Sequence, residues 1–120
     1  MDSYRSLVAW KHAHQALITS LQATDRAYHP RAASLFVQIR RAVISIEANI
    51  VEGYALNTAP LCRRHLRIAL GSAAEAECLV RAANELGYLK STDSAELERT
   101  LGAAMRSLRG LMNSPPVTAP

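Results

Sequence analysis

The stretch Gln38-Ile39-Arg40-Arg41-Ala42-Val43-Ile44-Ser45-Ile46-Glu47-Ala48-Asn49-Ile50-Val51-Glu52-Gly53 decides the fold. Laid out at about 100° per residue, this segment and the residues just before it place Leu35, Ile39, Val43, Ile46 and Ile50 on one face, at spacings of four, four, three and four. That is the pattern of a helix packed on a core. On the opposite side, Val37, Ile44, Ala48 and Val51 recur at seven, four and three. Arg40 and Glu47 border this second stripe on one edge, Arg41 and Glu52 on the other. A helix apolar on two opposite faces is buried twice, and a chain of 120 residues has few elements of its own to cover the second face. The stripe and its charged rim therefore predict a contact with another copy of the chain, with opposite charges meeting across the boundary.

Working outward, a first helix is predicted from about Ser6, as N-cap, to about Tyr28. Its face carries Trp10, His14, Leu17, Leu21 and Tyr28, widened by Leu7, Ala13 and Ile18, with Thr24 as a polar member. His29-Pro30 ends it, because proline disfavours helical geometry at the residue before it. The second helix is predicted from Arg31 to Gly53, with Gly53 as its left-handed stop. Asn57 or Thr58 then caps a third helix that tolerates Pro60 in its first turn. An inner face of Leu61, His65, Ile68, Ser72, Ala76, Leu79, Ala83 and Leu86 and a stop at Gly87 are expected there. Asp93 and Glu96 read as a capping-box variant opening a fourth helix along Leu97, Leu101, Ala104, Leu108 and Leu111. Short links between four helices predict an all-α, antiparallel up-down-up-down bundle over residues 1–112. Residues 113–120, with Pro115, Pro116 and Pro120, are expected to form a disordered tail.

Composition agrees with helices. The chain is 49% hydrophobic but only 5% aromatic, with five glycines and five prolines, which favours closely packed helices over a sheet. Net charge is +4, and twelve of the fourteen basic residues are arginine, the side chain suited to forked contacts with phosphate and carboxylate. Cys62 and Cys78 lie sixteen apart on one predicted helix, a separation of roughly 24 Å that no disulfide spans. Unpaired thiols, no apolar run of membrane-spanning length and no signal-like N-terminus predict a soluble cytoplasmic protein that does not enter the membrane.

The segment Gln38 to Gly53 closely resembles the stretch Q-x-R-R-A-x-x-S-I-x-x-N-I-x-E-G. That stretch marks the bacterial four-helix bundle proteins associated with intervening sequences in 23S ribosomal RNA genes. Similarity extends to Leu7-Val8-Ala9-Trp10, to Leu66-Arg67-Ile68-Ala69-Leu70-Gly71-Ser72 with Glu75, and to Glu85-Leu86-Gly87-Tyr88-Leu89, covering residues 4 to 112. Glu47 stands where that family commonly has proline, and Leu70 where it commonly has a basic residue. The resemblance implies an antiparallel bundle assembled as a homopentameric ring. The accessory proteins of diversity-generating retroelements look like relatives, which implies contact with nucleic acid and with a reverse transcriptase.

The residues offer one candidate binding surface. Arg63, Arg64 and Arg67 open the third helix, with Arg63 and Arg67 four apart on its outward face and Arg81 further along it. Repeated around an oligomer, such arginines make a multivalent surface for the phosphates of RNA or DNA. The competing reading is a solvated face paired with Glu77 and Glu85, or a scaffold that docks an acidic partner protein without nucleic acid. No chemistry-bearing pattern stands beside it. His12, His14, His29 and His65 lack a Glu-x-x-His arrangement for a bundle metal site. Ser72 lacks a nucleophile elbow, and neither phosphate-loop glycines nor a Cys-x-x-Cys spacing occurs. No cofactor, metal or catalytic residue is predicted, and Asn49, Gln38 and Ser45 are expected to hold helices in register.

Overall fold

A computed structural model describes residues 3–56 and 58–117. Its four helices are α1 (Val8–Arg26), α2 (Ala33–Ala55), α3 (Ala59–Glu85) and α4 (Ser91–Asn113), with 3-10 turns at Tyr4–Ser6 and Pro30–Ala32 and no strand among the described residues. The two 3-10 turns carry the side-chain caps. Ser3 Oγ accepts from the Arg5 amide at 3.1 Å, and His29 Nδ1 accepts from the Arg31 amide at 3.2 Å. Helices α1 and α2 then continue from these turns, so Ser6 is not the cap of α1.

Thr58 holds the N-cap position of α3, with Pro60 in the first turn, but its side chain makes no capping bond; Asn57 lies outside the described residues. The expected capping box of α4 does not form. That helix begins at Ser91, and Asp93 turns to Arg26 of α1 at 3.4 Å while Glu96 is taken by Arg99 at 2.6 Å. Gly87 ends α3 as expected. Its φ of 77° is left-handed, and Tyr88 N–H returns to the Ala83 carbonyl at 2.8 Å.

Packing passes around the bundle, α1 against α2, α2 against α3, α3 against α4 and α4 against α1, in a body of 47 × 21 × 20 Å. In α2 the buried face is the expected one, with Ile39, Val43, Ile46 and Ile50 fully enclosed and Phe36 beside them. Two other faces are rotated from expectation. The buried stripe of α1 is Ala9, Ala13, Ala16, Ser20, Ala23 and Thr24, so Trp10, His14, Leu17 and Leu21 flank it, half-buried, and Ile18 and Tyr28 face solvent. In α3 the buried residues are Cys62, Leu66, Ala69, Ala73, Ala76, Val80 and Ala83, while Leu61, Ile68 and Leu86 of the predicted seam are exposed. Small side chains make up all of the α1 stripe and most of the α3 stripe, which lets neighbouring helices approach closely.

Gly53 does not stop α2, which continues to Ala55. A Cβ at Gly53 would stand 3.0 Å from His65 Cβ and 3.2 Å from the Cys62 carbonyl oxygen, so glycine is there to let α2 touch the backbone of α3. Beyond α4, Val117 packs against the core; residues 118–120 of the expected tail lie outside the described residues.

Candidate nucleic-acid interface and subunit face

The opening of α3 carries Arg63, Arg64 and Arg67 because no acidic residue interrupts the run Arg63-Arg64-His65-Leu66-Arg67, and burial of Cys62 and Leu66 turns the arginines to the surface. Arg63 leans toward α4, donating from Nε to the Met112 carbonyl at 3.1 Å. Among the described residues, neither Arg64 nor Arg67 has a hydrogen bond or ion pair. Arg63 and Arg67 form the common wall of two adjoining hollows. One, about 590 Å³, is completed by Pro60, Arg64 and Ile68. The other, about 650 Å³, lies between α3 and α4 over Leu70, Gly71, Ala74 and Met112, and Arg109 of α4 lines it as well.

Arg81 does not join this group. It lies eighteen residues from Arg63 on the same helix, roughly 27 Å away, and donates to Glu77 at 3.2 Å and to Glu98 of α4 at 3.3 Å. Its charge is answered within the chain. Arg109 is the residue that sequence reading missed. No local signal marks it, because Arg109 reaches the groove only through the packing of α4 on α3, where Arg63 also meets the Met112 carbonyl.

Under the basic run, burial pushes the Cys62 thiol above its ordinary range, with neighbouring Arg63 opposing the shift. Cys62 is therefore a packing residue and Cys78 an exposed free thiol.

The second stripe of α2 is bare in the single chain. Val37 is 45% and Ile44 50% exposed, with Ala48 and Val51 half-buried between them and the helix end. Its charged borders are partly used inside the chain. Arg40 donates to Thr24 Oγ1 at 3.0 Å and pairs with Asp25, both on α1. Glu47 Oε1 accepts from Trp10 Nε1 at 3.0 Å and lies 2.9 Å from His14 Nδ1, while the Trp10 and His14 rings stack 4.8 Å apart. Glu47 thus fastens α1 to α2, with Oε2 buried and unpartnered among the described residues. On the other border Glu52 lies 3.6 Å from His65, and Arg41 reaches only Gln38 at 3.5 Å.

Between α2 and α3 runs a polar ladder. Asn49 donates its amide to the Ser45 carbonyl at 2.8 Å and to Ser45 Oγ at 3.1 Å, which leaves Asn49 Oδ1 to accept from His65 Nδ1–H at 2.9 Å. Ser45 Oγ meets Ser72 Oγ at 2.8 Å. Ser45, Asn49 and Gly53, spaced by four, make one edge of α2 specific for α3. Among the described residues no three His, Cys, Asp or Glu side chains gather as a metal site, and no helix is long and apolar enough to cross a membrane.

These features define an all-α protein of four helices whose polar edge, glycine contact and two-sided α2 all lie in one short motif. The chain belongs to the 23S rRNA-intervening sequence protein family, which it matches over residues 5–110. No protein of curated function matches it.

Proposed function

We propose that this chain is a non-enzymatic cytoplasmic bundle of antiparallel helices that assembles with copies of itself, as a pentameric ring, and binds RNA or DNA through Arg63, Arg64, Arg67 and Arg109. The observation that carries the binding reading is the convergence of Arg63, Arg67 and Arg109, from two helices, on one groove in which Arg67 and Arg109 have no acidic partner among the described residues. Arginines held without a carboxylate are expensive to crowd together unless an anion joins them, and phosphate suits their forked donors. Pairs such as Ser45 with Ser72 and Asn49 with His65, in which one number rises as the other falls, support antiparallel α2 and α3. The bare stripe of α2 supports self-association, because apolar rows bordered by charge mark contact sites.

Affinity for labelled RNA and DNA, measured by fluorescence anisotropy against salt concentration, tests the reading. Each arginine that meets a phosphate contributes roughly 0.7 to 0.9 to the slope of log affinity against log salt. Arg67→Ala and Arg109→Ala are expected to weaken binding and flatten that slope, whereas Arg81→Ala leaves both nearly unchanged. Binding that is absent at low salt, or indifferent to salt, removes nucleic acid as the ligand and leaves a scaffold for an acidic partner protein.

A further inference from the structure

Resting on the nucleic-acid reading above, we infer that the groove takes single-stranded nucleic acid with unpaired bases in preference to a duplex. The reason lies in the shape around the arginines. Arg63 and Arg67 stand one turn apart on α3, roughly 6 Å along the axis, comparable with the step from one phosphate to the next along an extended strand. Arg63 spends only its Nε on the Met112 carbonyl, so its terminal nitrogens remain for a phosphate. The pair is a ridge, and an apolar hollow lies on each side of it. Pro60 and Ile68 line the first hollow, and Leu70, Ala74 and Met112 the second. Their volumes, about 590 and 650 Å³, fall in the range of clefts that enclose small organic groups, roughly 300–1,000 Å³.

A strand crossing the ridge puts its phosphates on Arg63 and Arg67 and lets the flanking bases turn down into the hollows. There they meet apolar side chains and the flat faces of Arg64 and Arg109, since guanidinium planes serve as stacking surfaces for unpaired bases. A duplex keeps its bases stacked within, offers only phosphates, and leaves Ile68 and the uncovered part of half-buried Met112 in water. Ile68 is 45% exposed in the chain, so its apolar surface has no task in the core.

The experiment measures anisotropy of fluorescein-labelled oligouridine, oligothymidine and the corresponding RNA and DNA duplexes at one salt concentration, with the intact protein. The expected result is single-strand affinity about tenfold or more above that for the matching duplex. Ile68→Ala and Met112→Ala, shown by circular dichroism and native mass to fold and assemble as the parent does, should weaken single-strand binding by about fivefold each. They should leave duplex binding within about twofold, whereas Arg67→Ala should weaken both. The oligouridine and oligothymidine arms separate RNA from DNA as the source of the strand, and preference over the duplex in either arm supports the inference. Equal or tighter duplex binding, or an equal loss on both probes in the two hollow variants, overturns it while leaving the nucleic-acid reading standing. Binding of none of the four probes overturns that reading and this inference together.

Discussion

Gly53 sits where α2 meets the backbone of α3, and two effects compete there. Alanine in a helix interior is normally better than glycine by about 0.5–1 kcal/mol. At Gly53, however, the added methyl would stand 3.2 Å from the Cys62 carbonyl and 3.0 Å from His65 Cβ, atoms that cannot swing aside without moving a helix. Overpacking of this kind costs about 1–3 kcal/mol, so the clash wins. Gly53→Ala is expected to lower the denaturant midpoint. Gly71→Ala, where a Cβ meets nothing within 4 Å, should raise the midpoint, because stability gains the ordinary propensity difference of about 0.5–1 kcal/mol. A stabilised Gly53→Ala protein would show that the helices separate freely and that the glycine answers no packing need. The same residue shows the limit of local reading, because a glycine at the end of an apolar pattern looks like a stop signal until the partner helix is in place.

At the scale of helices, legibility depended on where the large side chains are. In α2 the core is built from Ile39, Val43, Ile46 and Ile50, so apolar periodicity gives the correct face. In α1 and α3 the core is built mainly from alanine, with Ser20, Thr24 and Cys62 and, in α3, Leu66 and Val80, and larger residues such as Trp10, Leu17 and Leu79 flank it. A pattern weighted by bulk follows the flanks and rotates the predicted face by about one residue. The basic run at Arg63, Arg64 and Arg67 was legible because it is local. The neutralisation of Arg81 by Glu98 and the arrival of Arg109 were not, because both depend on how α4 lies on α3. The rotated α3 face can be checked directly. Ala73→Leu, at a fully enclosed site, should lose about 1–3 kcal/mol by overpacking. Leu86→Ala, at a residue 60% exposed, should stay within about 0.5 kcal/mol of the parent by chemical denaturation. The reverse order would restore the Leu61, Ile68 and Leu86 seam.

For the whole molecule the question is whether another copy covers the outer stripe of α2, as proposed above. A stable interface hides roughly 800 Å² per partner, about an eighth of the 6550 Å² surface of the chain. Val37, Ile44, Ala48 and Val51 can form only the centre of such a patch, with Arg41 and Glu52 at its rim. A closed ring also needs a second, different surface on each copy, since its contacts run head to tail. The exposed Leu61 on α3 and Val8 and Ile18 on α1 are the other apolar side chains available. The decisive comparison is between two isoleucines two residues apart. Ile44 is 50% exposed in the single chain and Ile46 is 0%. A carboxylate at Ile44 remains hydrated in a lone subunit and becomes costly only when a neighbour dries it. Ile44→Asp should therefore keep its helical spectrum and its cooperative melting while light scattering reports a lower mass than the parent. Val51→Asp is expected to follow it. Ile46→Asp buries the charge in the subunit's own core, so cooperative melting should be lost whatever the state of assembly. If Ile44→Asp and Ile46→Asp unfold alike, the outer stripe belongs to the fold of one chain; if Ile44→Asp keeps the parent's mass, another surface holds the copies together.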